Sequence, residues 1–361
     1  MESLNQLHTE ALELLKDLIR TPSFSKSENQ TAAIIRAFFE KKGTSVHQKG
    51  NNIWAYASAY DPARPTVMLN SHHDTVKPNQ GYTLDPFEPI EKDGKLFGLG
   101  SNDAGGPLVA LIAAFMHFRN QPLPVNLLMV ASAEEEISGK DGIESLIPEF
   151  PELSVALVGE PTQLKMAVAE KGLMVIDALV KGKAGHAARE EGLNAIYEAL
   201  DDLIAIRNFQ FRHVSTFLGT SKVSATLIQA GSQHNVVPDR CTYTLDVRVT
   251  DAYTLEEALN ELRQSLKAEL RPRSMRLNSS RIGAAHPMLS VARSMELETF
   301  GSPTLSDQAL IPYPSVKIGP GDSARSHTPD EFIYINEIKE GISLYIALLE
   351  NYFSKLTENE K

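Results

Sequence analysis

The sequence predicts an α/β fold interrupted by a smaller α+β domain, and three features indicate this. Short apolar runs of strand length alternate with helical patterns in the first part of the chain, as in a sheet covered by helices. After about Glu170 the pattern changes to amphipathic strands with two amphipathic helices, which is typical of an α+β domain with one open sheet face. Helices and short apolar runs return after Arg281, so the first domain resumes there.

The individual elements follow from hydrophobic spacing. Helical spacing covers residues 2–20, about 29–42, 107–118, about 194–207, about 255–270 and about 335–356. Strand patterns cover residues 66–70, 125–131, 155–158, 173–180, 222–229 and 242–249. In the last of these, one face consists of Tyr243, Leu245, Val247 and Val249. We therefore predict a main domain of residues 1–171 and 284–361, and an inserted domain of residues 172–283.

Composition narrows the class of protein. A chain of 361 residues exceeds one comfortable hydrophobic core, and 42% hydrophobic with 22% charged residues is ordinary for a soluble protein. The net charge of -11 disfavours nucleic acid and acidic membranes as partners. The single cysteine, Cys241, excludes intramolecular disulfides and thiolate-rich zinc sites. We expect a cytoplasmic protein, because no signal-peptide pattern and no membrane-spanning run is apparent.

Five short segments concentrate histidine and carboxylate side chains. They are Ser-His-His-Asp at 71–74, Gly-Ser-Asn-Asp at 100–103, Glu-Glu-Glu at 134–136, Gly-Glu-Pro at 159–161 and Ser-His-Thr at 326–328. Each segment alone has a plainer interpretation as a surface turn or a solvated face. Three of them directly follow strand-like runs, and ligands bind at the carboxyl ends of strands in open α/β sheets. Gathered carboxylates repel one another, so a divalent cation is expected, and imidazole with carboxylate suits zinc, cobalt or manganese.

The spacing inside two segments fits metal chemistry. His72 and Asp74 are two residues apart, so in an extended segment they point to the same side. His72 can then bind a metal while Asp74 accepts its other ring N–H, although His73 is a competing ligand. Consecutive Glu135 and Glu136 can divide metal binding and proton transfer between them.

Together these motifs resemble the co-catalytic metal amidohydrolases that include acetylornithine deacetylase, succinyl-diaminopimelate desuccinylase, aminoacylase and glutamate carboxypeptidase. The resemblance extends over nearly the whole chain and keeps the family's order. Its motifs are His-x-Asp at 72–74, Gly-x-Gly-x-x-Asp at 98–103, Glu-Glu at 135–136, Gly-Glu-Pro-Thr at 159–162 and Gly-Pro-Gly…His at 319–327. Two features depart from the pattern: Gly105 stands where the family usually has a lysine, and residues 187–191, after Gly185-His186, lack the family's usual proline.

The resemblance implies a zinc-exopeptidase-like catalytic domain with two divalent metal ions, zinc in the first place and cobalt or manganese as alternatives. It implies that His72 and Glu160 hold one ion, that Glu136 and His327 hold the other, and that Asp103 bridges them. It also implies that Glu135 is the general base and acid and that Asp74 orients His72.

For the inserted domain, the resemblance implies a ferredoxin-like lid that also forms a homodimer. Within the Gly-His motif, His186 would reach the active site of a neighbouring subunit and stabilise an oxyanion. Asn235 and Arg248 match positions that contact the substrate, and a guanidinium suits a fixed carboxylate.

The resemblance favours removal of an acetyl or succinyl group from an amino acid such as N-acylornithine or N-acylcitrulline, a step of arginine biosynthesis. The segment 192–196 after the Gly-His motif is similar to the acetylornithine deacetylase branch. Two enzyme alternatives are a succinyl-diaminopimelate desuccinylase and a metallo-carboxypeptidase or dipeptidase. A non-catalytic metal- or amino-acid-binding protein is an alternative of another class. A dinucleotide-binding Gly-x-Gly turn is rejected, because Asp103 would face the phosphates.

Overall fold

The structure, a computed structural model, describes residues 3–189 and 191–359. Glu2, where the first helix was predicted to begin, and the outer domain bounds Met1 and Lys361 lie outside these residues. The helices are α1 (Leu4–Ile19), α2 (Asn29–Lys41), α3 (Gly106–Phe118), α4 (Ile143–Leu146), α5 (Ala195–Asn208), α6 (Leu255–Ser265), α7 (Pro287–Ser294) and α8 (Ile335–Asn359).

The strands follow in chain order. They are β1 (His47–Lys49), β2 (Asn52–Tyr56), β3 (Thr66–His72), β4 (Ile90–Lys92), β5 (Lys95–Phe97), β6 (Asn126–Ser132), β7 (Leu153–Val158), β8 (Met166–Glu170), β9 (Gly172–Lys181), β10 (Val214–Ser215), β11 (Gly219–Thr220), β12 (Lys222–Ala230), β13 (Arg240–Val249), β14 (Glu269–Pro272), β15 (Ser280–Arg281), β16 (Thr299–Ser302), β17 (Ser315–Lys317) and β18 (Phe332–Tyr334).

The described chain divides into two compact units. The first contains the chain up to Val168, Arg281–Phe300 and the chain from Ser306 onward. The second contains Ala169–Ser280 and Gly301–Leu305. The division lies within a few residues of the predicted domain bounds, except that residues 301–305 group with the second unit.

The first unit is built on a mixed sheet. Its strand order is β1-β2-β6-β3-β7-β17-β8-β15, with β16 beside β8. Strand β3 is parallel to both β6 and β7, and β17 is parallel to β7, whereas β2 is antiparallel to β6. This arrangement confirms the predicted α/β class with a mixed central sheet.

Apolar helices cover this sheet. Helix α1 buries the leucine stripe that predicted it, including Leu7, Leu14 and Leu15, and the Ser3 side chain caps its first turn by accepting the N–H of Gln6. Helix α3 is apolar on nearly all sides and is buried along almost its whole length, as expected of a helix inside the core. Among the described residues, no helix combines the length and the apolar character needed to cross a membrane.

The second unit has an antiparallel sheet of order β12-β13-β9-β14 together with α5 and α6. The alternation predicted for β13 is confirmed, because Tyr243, Leu245, Val247 and Val249 are buried while their neighbours are not. Such an open sheet with helices is the α+β arrangement that the sequence predicted.

One predicted helix is too long. The helix expected over residues 255–270 ends at Ser265, and Glu269–Pro272 forms β14 instead. The Asp202 carboxylate explains the end, because it accepts the backbone N–H groups of Lys267 at 2.8 Å and Ala268 at 2.9 Å. These N–H groups would otherwise bond inside a continuing helix.

Candidate metal centre

Three parallel strands bring the predicted segments to one edge of the main sheet. In β3 and β6, His72 pairs with Ser132, and in β3 and β7, Asn70 pairs with Val158. The residues that follow these strand ends therefore start side by side. This places His72 next to the 134–136 segment and to Glu160, as the sequence argument expects.

Two groups of side chains there are able to hold a metal ion. One group is His72, Asp103 and Glu160, and the other is Asp103, Glu136 and His327; the ligand atoms of each group lie within 4.8 Å of one another. Asp103 is common to both, and its two oxygens face different histidines. Its Oδ1 lies 3.4 Å from His72 Nε2, and its Oδ2 lies 3.5 Å from His327 Nε2.

The remaining contacts close each group. Oε1 of Glu160 lies 3.8 Å from Nε2 of His72, and Oε2 of Glu136 lies 3.0 Å from Nε2 of His327. Nε2 of His72 is buried and has no hydrogen-bond partner among the described residues. A buried ring nitrogen facing carboxylate oxygens fits a divalent cation, because such atoms otherwise find hydrogen bonds.

The charges at this edge also favour a cation. Burial raises the pKa of Glu135 well above its ordinary value, and the nearby carboxylate of Glu160 raises it further. Burial together with the Asp103 carboxylate raises the pKa of Glu160 to about 8. The hydrogen bond with Glu136 raises the pKa of His327 to about 9. Without a metal the group therefore holds extra protons, and a divalent cation can replace them.

Glu135 lies beside both groups but belongs to neither. Its Oε2 is 3.8 Å from Nε2 of His72, and its side chain is mostly buried, with 13% of its surface exposed. Glu135 and Glu136 form a short helical turn, 135–137, that starts after Glu134 in the left-handed region at φ 57°. Because of this turn, the Glu135 carboxylate lies near His72 and the Glu136 carboxylate lies near His327.

Asp74 supports that turn. Its carboxylate accepts the backbone N–H groups of Glu135 at 3.0 Å and Glu136 at 3.2 Å, and the hydroxyl of Ser25 at 2.7 Å. Because the carboxylate is so engaged, the nearer atom to His72 Nδ1 is the backbone carbonyl oxygen of Asp74 at 3.0 Å, with Oδ1 at 3.4 Å. Asp74 thus contacts His72 mainly through its backbone carbonyl oxygen. The sequence did not predict the hydrogen bond between the Asp74 carboxylate and the N–H of Glu135.

His73, the competing ligand, faces away from the centre in its contacts. Its Nδ1 lies 2.9 Å from Oγ1 of Thr31, and its Nε2 lies 2.9 Å from the carbonyl oxygen of Asn51. Both ring nitrogens are therefore engaged in hydrogen bonds, and His73 lies in neither metal-holding group.

The packing at Gly105 explains the missing lysine. A Cβ atom there would lie 2.4 Å from the carbonyl oxygen of Gly100 and 2.6 Å from Cδ1 of Leu15. These distances are too short for any side chain, since the backbone oxygen cannot move aside. The chain after Asp103 therefore packs directly on α1 at this position, which leaves no room for a lysine side chain.

Sequence reasoning missed two buried acids. Asp307 accepts hydrogen bonds from Nδ2 of Asn70 at 2.7 Å and from Oγ of Ser132 at 2.6 Å, so it joins the ends of β3 and β6. Glu331 accepts backbone N–H groups from the segment that carries Asp103. Burial raises the pKa of Asp307, and burial raises that of Glu331 to about 8. For Glu331 the available signal was its position four residues after His327.

The substrate-contact candidates belong to the second unit. Within it, His186 forms an antiparallel bridge with Val236, and the backbone N–H of Ala187 donates to the carbonyl of Asn235 at 3.0 Å. The Gly-His motif and Asn235 are thus neighbours. Arg248 lies on β13, where its Nε and Nη2 donate to the Asp246 carboxylate at 2.9 and 3.0 Å.

With this geometry established, comparisons with known proteins identify the family. A sequence model described as Peptidase family M20/M25/M40 matches residues 68–351, a range that includes every candidate metal ligand. The chain belongs to peptidase family M20/M25/M40. It is accordingly a hydrolase that acts on amide bonds.

Relatives in the M20 family differ in substrate. The acetylornithine deacetylase of Proteus mirabilis is 26% identical over 94% of this chain and 96% of its own length. The succinyl-diaminopimelate desuccinylase of Wolbachia pipientis wMel is 24% identical over 95% of this chain and 93% of its own. A structure from Bacillus subtilis, described as a dinuclear metal-binding M20 peptidase, covers 96% of this chain and 98% of its own, with a TM-score of 0.73 and 17% identity.

Proposed function

We propose that this M20 hydrolase uses two divalent metal ions to remove an acetyl or succinyl group from an amino acid such as N-acylornithine or N-acylcitrulline. The position of the Asp103 carboxylate between the two groups of ligands is the observation that carries the proposal. Its two carboxylate oxygens face two different histidines, each accompanied by a further carboxylate, and Glu135 lies beside them outside both groups.

The residues fit a pair of ions that share one carboxylate. His72 and Glu160 would hold one ion, Glu136 and His327 the other, and Asp103 would bridge them. Zinc is the first choice for this mixture of imidazole and carboxylate ligands, with cobalt or manganese as alternatives. When bound, such ions polarise an amide carbonyl and make water more acidic.

The chain's own residues then carry the proton. Glu135 accepts a proton from the attacking water as its oxygen bonds to the amide carbon, and delivers that proton to the nitrogen as the C–N bond breaks. The products are a free carboxylic acid and an amine, so one water is consumed per bond. Asp74 keeps Glu135 in place through the N–H of that residue.

The second unit would recognise the substrate. We propose that Arg248 binds the α-carboxylate of the amino acid, with Asp246 holding the Nε and Nη2 side of its guanidinium. Asn235 would contribute a further polar contact. His186 would stabilise the oxyanion that develops on the carbonyl oxygen, acting on the active site of a neighbouring subunit.

That role for His186 requires a homodimer, and the second unit exposes an apolar surface suited to one. We call it the α5/β12 surface, and it comprises Ile196, Tyr197, Leu200 and Ile204 of α5 with Ile228 of β12, which lies on the same sheet face as the α5-facing Tyr243. Strand β12 is an edge strand of its sheet, and edges of this kind readily pair with another chain. The net charge of -11 supports the absence of nucleic-acid and membrane partners. A cytoplasmic location remains a prediction.

A desuccinylase is the main competing function, because a succinyl-diaminopimelate desuccinylase matches this chain about as well as a deacetylase does. A carboxypeptidase or dipeptidase is the third candidate. A non-catalytic binding protein is the remaining one, although Glu135 and all five candidate ligands are in place.

A substrate panel separates these functions. The zinc- and cobalt-loaded proteins are assayed for amine release from acetyl- and succinyl-ornithine, acetyl- and succinyl-citrulline, succinyl-diaminopimelate and simple dipeptides. The highest kcat/KM is expected for an acylated ornithine or citrulline. Preference for succinyl-diaminopimelate or for a dipeptide would contradict the biosynthetic assignment. Metal binding without turnover on any compound would favour the non-catalytic alternative.

A further inference from the structure

Glu331 has an unusual environment for a carboxylate. Its side chain is 1% exposed, and among the described residues its hydrogen bonds all come from backbone N–H groups. Oε2 accepts from Gly100 at 3.2 Å, and Oε1 accepts from Asn102 and Asp103, each at 2.9 Å. Three hydrogen bonds from N–H groups offset part of the cost of burying such a carboxylate.

The segment that receives Glu331 needs an outside acceptor. It begins at Gly100, in the left-handed region at φ 74°, and passes through Asp103 with φ -120° and ψ 99°, which is not helical. A turn of this shape cannot satisfy its own first N–H groups, and buried N–H groups require partners. Glu331, 228 residues further along the chain from Asp103, supplies the acceptor.

Glu331 and the candidate ligand His327 lie in one short segment, residues 327–331. Between them, Asp330 accepts the backbone N–H of Thr83 at 2.8 Å, its hydroxyl at 2.5 Å and the N–H of Leu84 at 2.9 Å. The segment is therefore anchored on one side at residues 83–84 and on the other side at the Asp103 turn. The Glu331 contacts connect the segment of His327 directly to the Asp103 turn, whereas the Asp330 contacts connect it to residues 83–84, which carry no candidate metal ligand.

We propose that Glu331 is a positioning residue of the metal centre, holding the Asp103 turn so that Asp103 Oδ2 stays 3.5 Å from His327 Nε2. Glu331 itself belongs to neither metal-holding group. Its effect on metal binding is thus exerted through Asp103, as is usual for residues that orient metal ligands. This inference rests on the proposed two-metal function.

The test compares Glu331→Gln with Asp330→Asn. The control is matched because Asp330 is the adjacent residue, also accepts three hydrogen bonds, and contacts residues 83–84 instead of the Asp103 turn. Zinc affinity and stoichiometry are measured by competition with a chromogenic chelator. The visible spectrum of the cobalt-loaded protein and the thermal midpoint of the metal-free protein are recorded as well.

We expect Glu331→Gln to lower the affinity for at least one zinc ion by about 10- to 100-fold, to change the cobalt spectrum, and to lower kcat more than it changes KM. Glu331→Asp, which keeps the charge but is one methylene shorter, should lie between the wild type and Glu331→Gln. Asp330→Asn should match the wild type within about twofold, since it leaves the Asp103 turn intact. If Glu331→Gln does not fold, Glu331→Asp is judged by the same zinc titration.

A lower thermal midpoint with wild-type zinc affinity and an unchanged cobalt spectrum would overturn the proposal, because Glu331 would then be only structural. Equal losses of zinc affinity in Glu331→Gln and Asp330→Asn would overturn it too. A parallel zinc titration of Asp103→Asn distinguishes a failure of the proposed metal centre from a failure of the role proposed for Glu331. If Asp103→Asn keeps both zinc sites, the proposed metal centre is wrong; if it loses one while Glu331→Gln keeps both, only the role of Glu331 is wrong.

Discussion

The carboxylate of Asp74 accepts the backbone N–H of Glu135 at 3.0 Å. Asp74 therefore holds the proposed general base, Glu135, through the backbone N–H of Glu135. Asp74 itself lies just after the strand end that carries His72. A single acid thus connects the metal-binding strand end with the proton-transfer group. The neighbouring Glu136 N–H donates to the other oxygen at 3.2 Å.

Asp74→Asn should therefore impair both neighbours. The amide retains one acceptor oxygen, so one of the two N–H groups would face an NH2 group and the turn would shift. We expect kcat/KM to fall about 10- to 100-fold, as is typical when a residue that orients metal ligands is changed. Ser25→Ala, which removes the hydroxyl donor at 2.7 Å from the same carboxylate, is the control and should cost less. Full activity in Asp74→Asn would exclude this role.

Asp103→Asn should remove the bridge between the two metal groups. A neutral amide cannot offset two divalent charges, so metal analysis after dialysis is expected to fall from two zinc ions per chain to one or none. Asp307→Asn is the isosteric control, because Asp307 is buried nearby but belongs to neither group. Two zinc ions retained in Asp103→Asn would show that Asp103 is not a bridging ligand.

Without metal, the protein should lose stability as the pH rises. The folded pKa of Glu160 is about 8 against 4.5 for the ordinary side chain, and that of His327 is about 9 against 6.5. The folded state thus holds more protons than the unfolded state in these windows, and stability falls with rising pH until both folded values are passed. Zinc needs deprotonated ligands, so the stabilisation by zinc should grow over the same range.

Urea unfolding midpoints at pH 6.5, 7.5 and 8.5 measure this effect, with chelator-treated and zinc-loaded protein compared at each pH. The chelator-treated midpoint should decrease across the series while the gap to the zinc-loaded protein widens. An increase of the metal-free midpoint from pH 6.5 to 8.5 would refute the proposed charge arrangement.

The α5/β12 surface should mediate the homodimer. Ile228→Glu, on the edge strand, and Ile204→Glu, on the helix, both place a charge on an exposed apolar position. Sedimentation is expected to give twice the chain mass for the wild type and the chain mass for either variant. Tyr60→Glu alters an exposed aromatic residue of the first unit and serves as the control. A monomeric wild type would contradict the dimer.

The strand ends were predictable from the sequence because a parallel sheet brings its carboxyl ends together by topology alone. His72 is the last residue of one buried strand and Glu160 comes shortly after another, and the strand positions could be recognised locally. The proposed bridging role of Asp103 was suggested only by resemblance, because Asp103 follows a three-residue strand, β5, that hydrophobic spacing did not predict. Its surroundings depend on Gly105, whose missing side chain allows the close approach of Gly100 and Leu15.

The remaining features depend on contacts between distant segments. Asp307 and Glu331 stand in polar stretches that look like solvated loops, and they are buried only because residues far away in sequence donate to them. The end of α6 is similar, because Asp202 takes the N–H groups that would have extended the helix. Hydrophobic spacing along one segment contains no information about such partners.

The most direct test of the two-metal mechanism is the turnover of zinc-loaded Glu135→Gln on the best substrate of the panel. Glu135 lies 3.8 Å from His72 Nε2 and outside both metal groups, so the variant should keep two zinc ions. Its kcat should fall by about 10²- to 10⁴-fold, the range usual for loss of a general base, whereas Glu134→Gln should remain active. Two bound zinc ions with wild-type turnover in Glu135→Gln would contradict the assignment of the base.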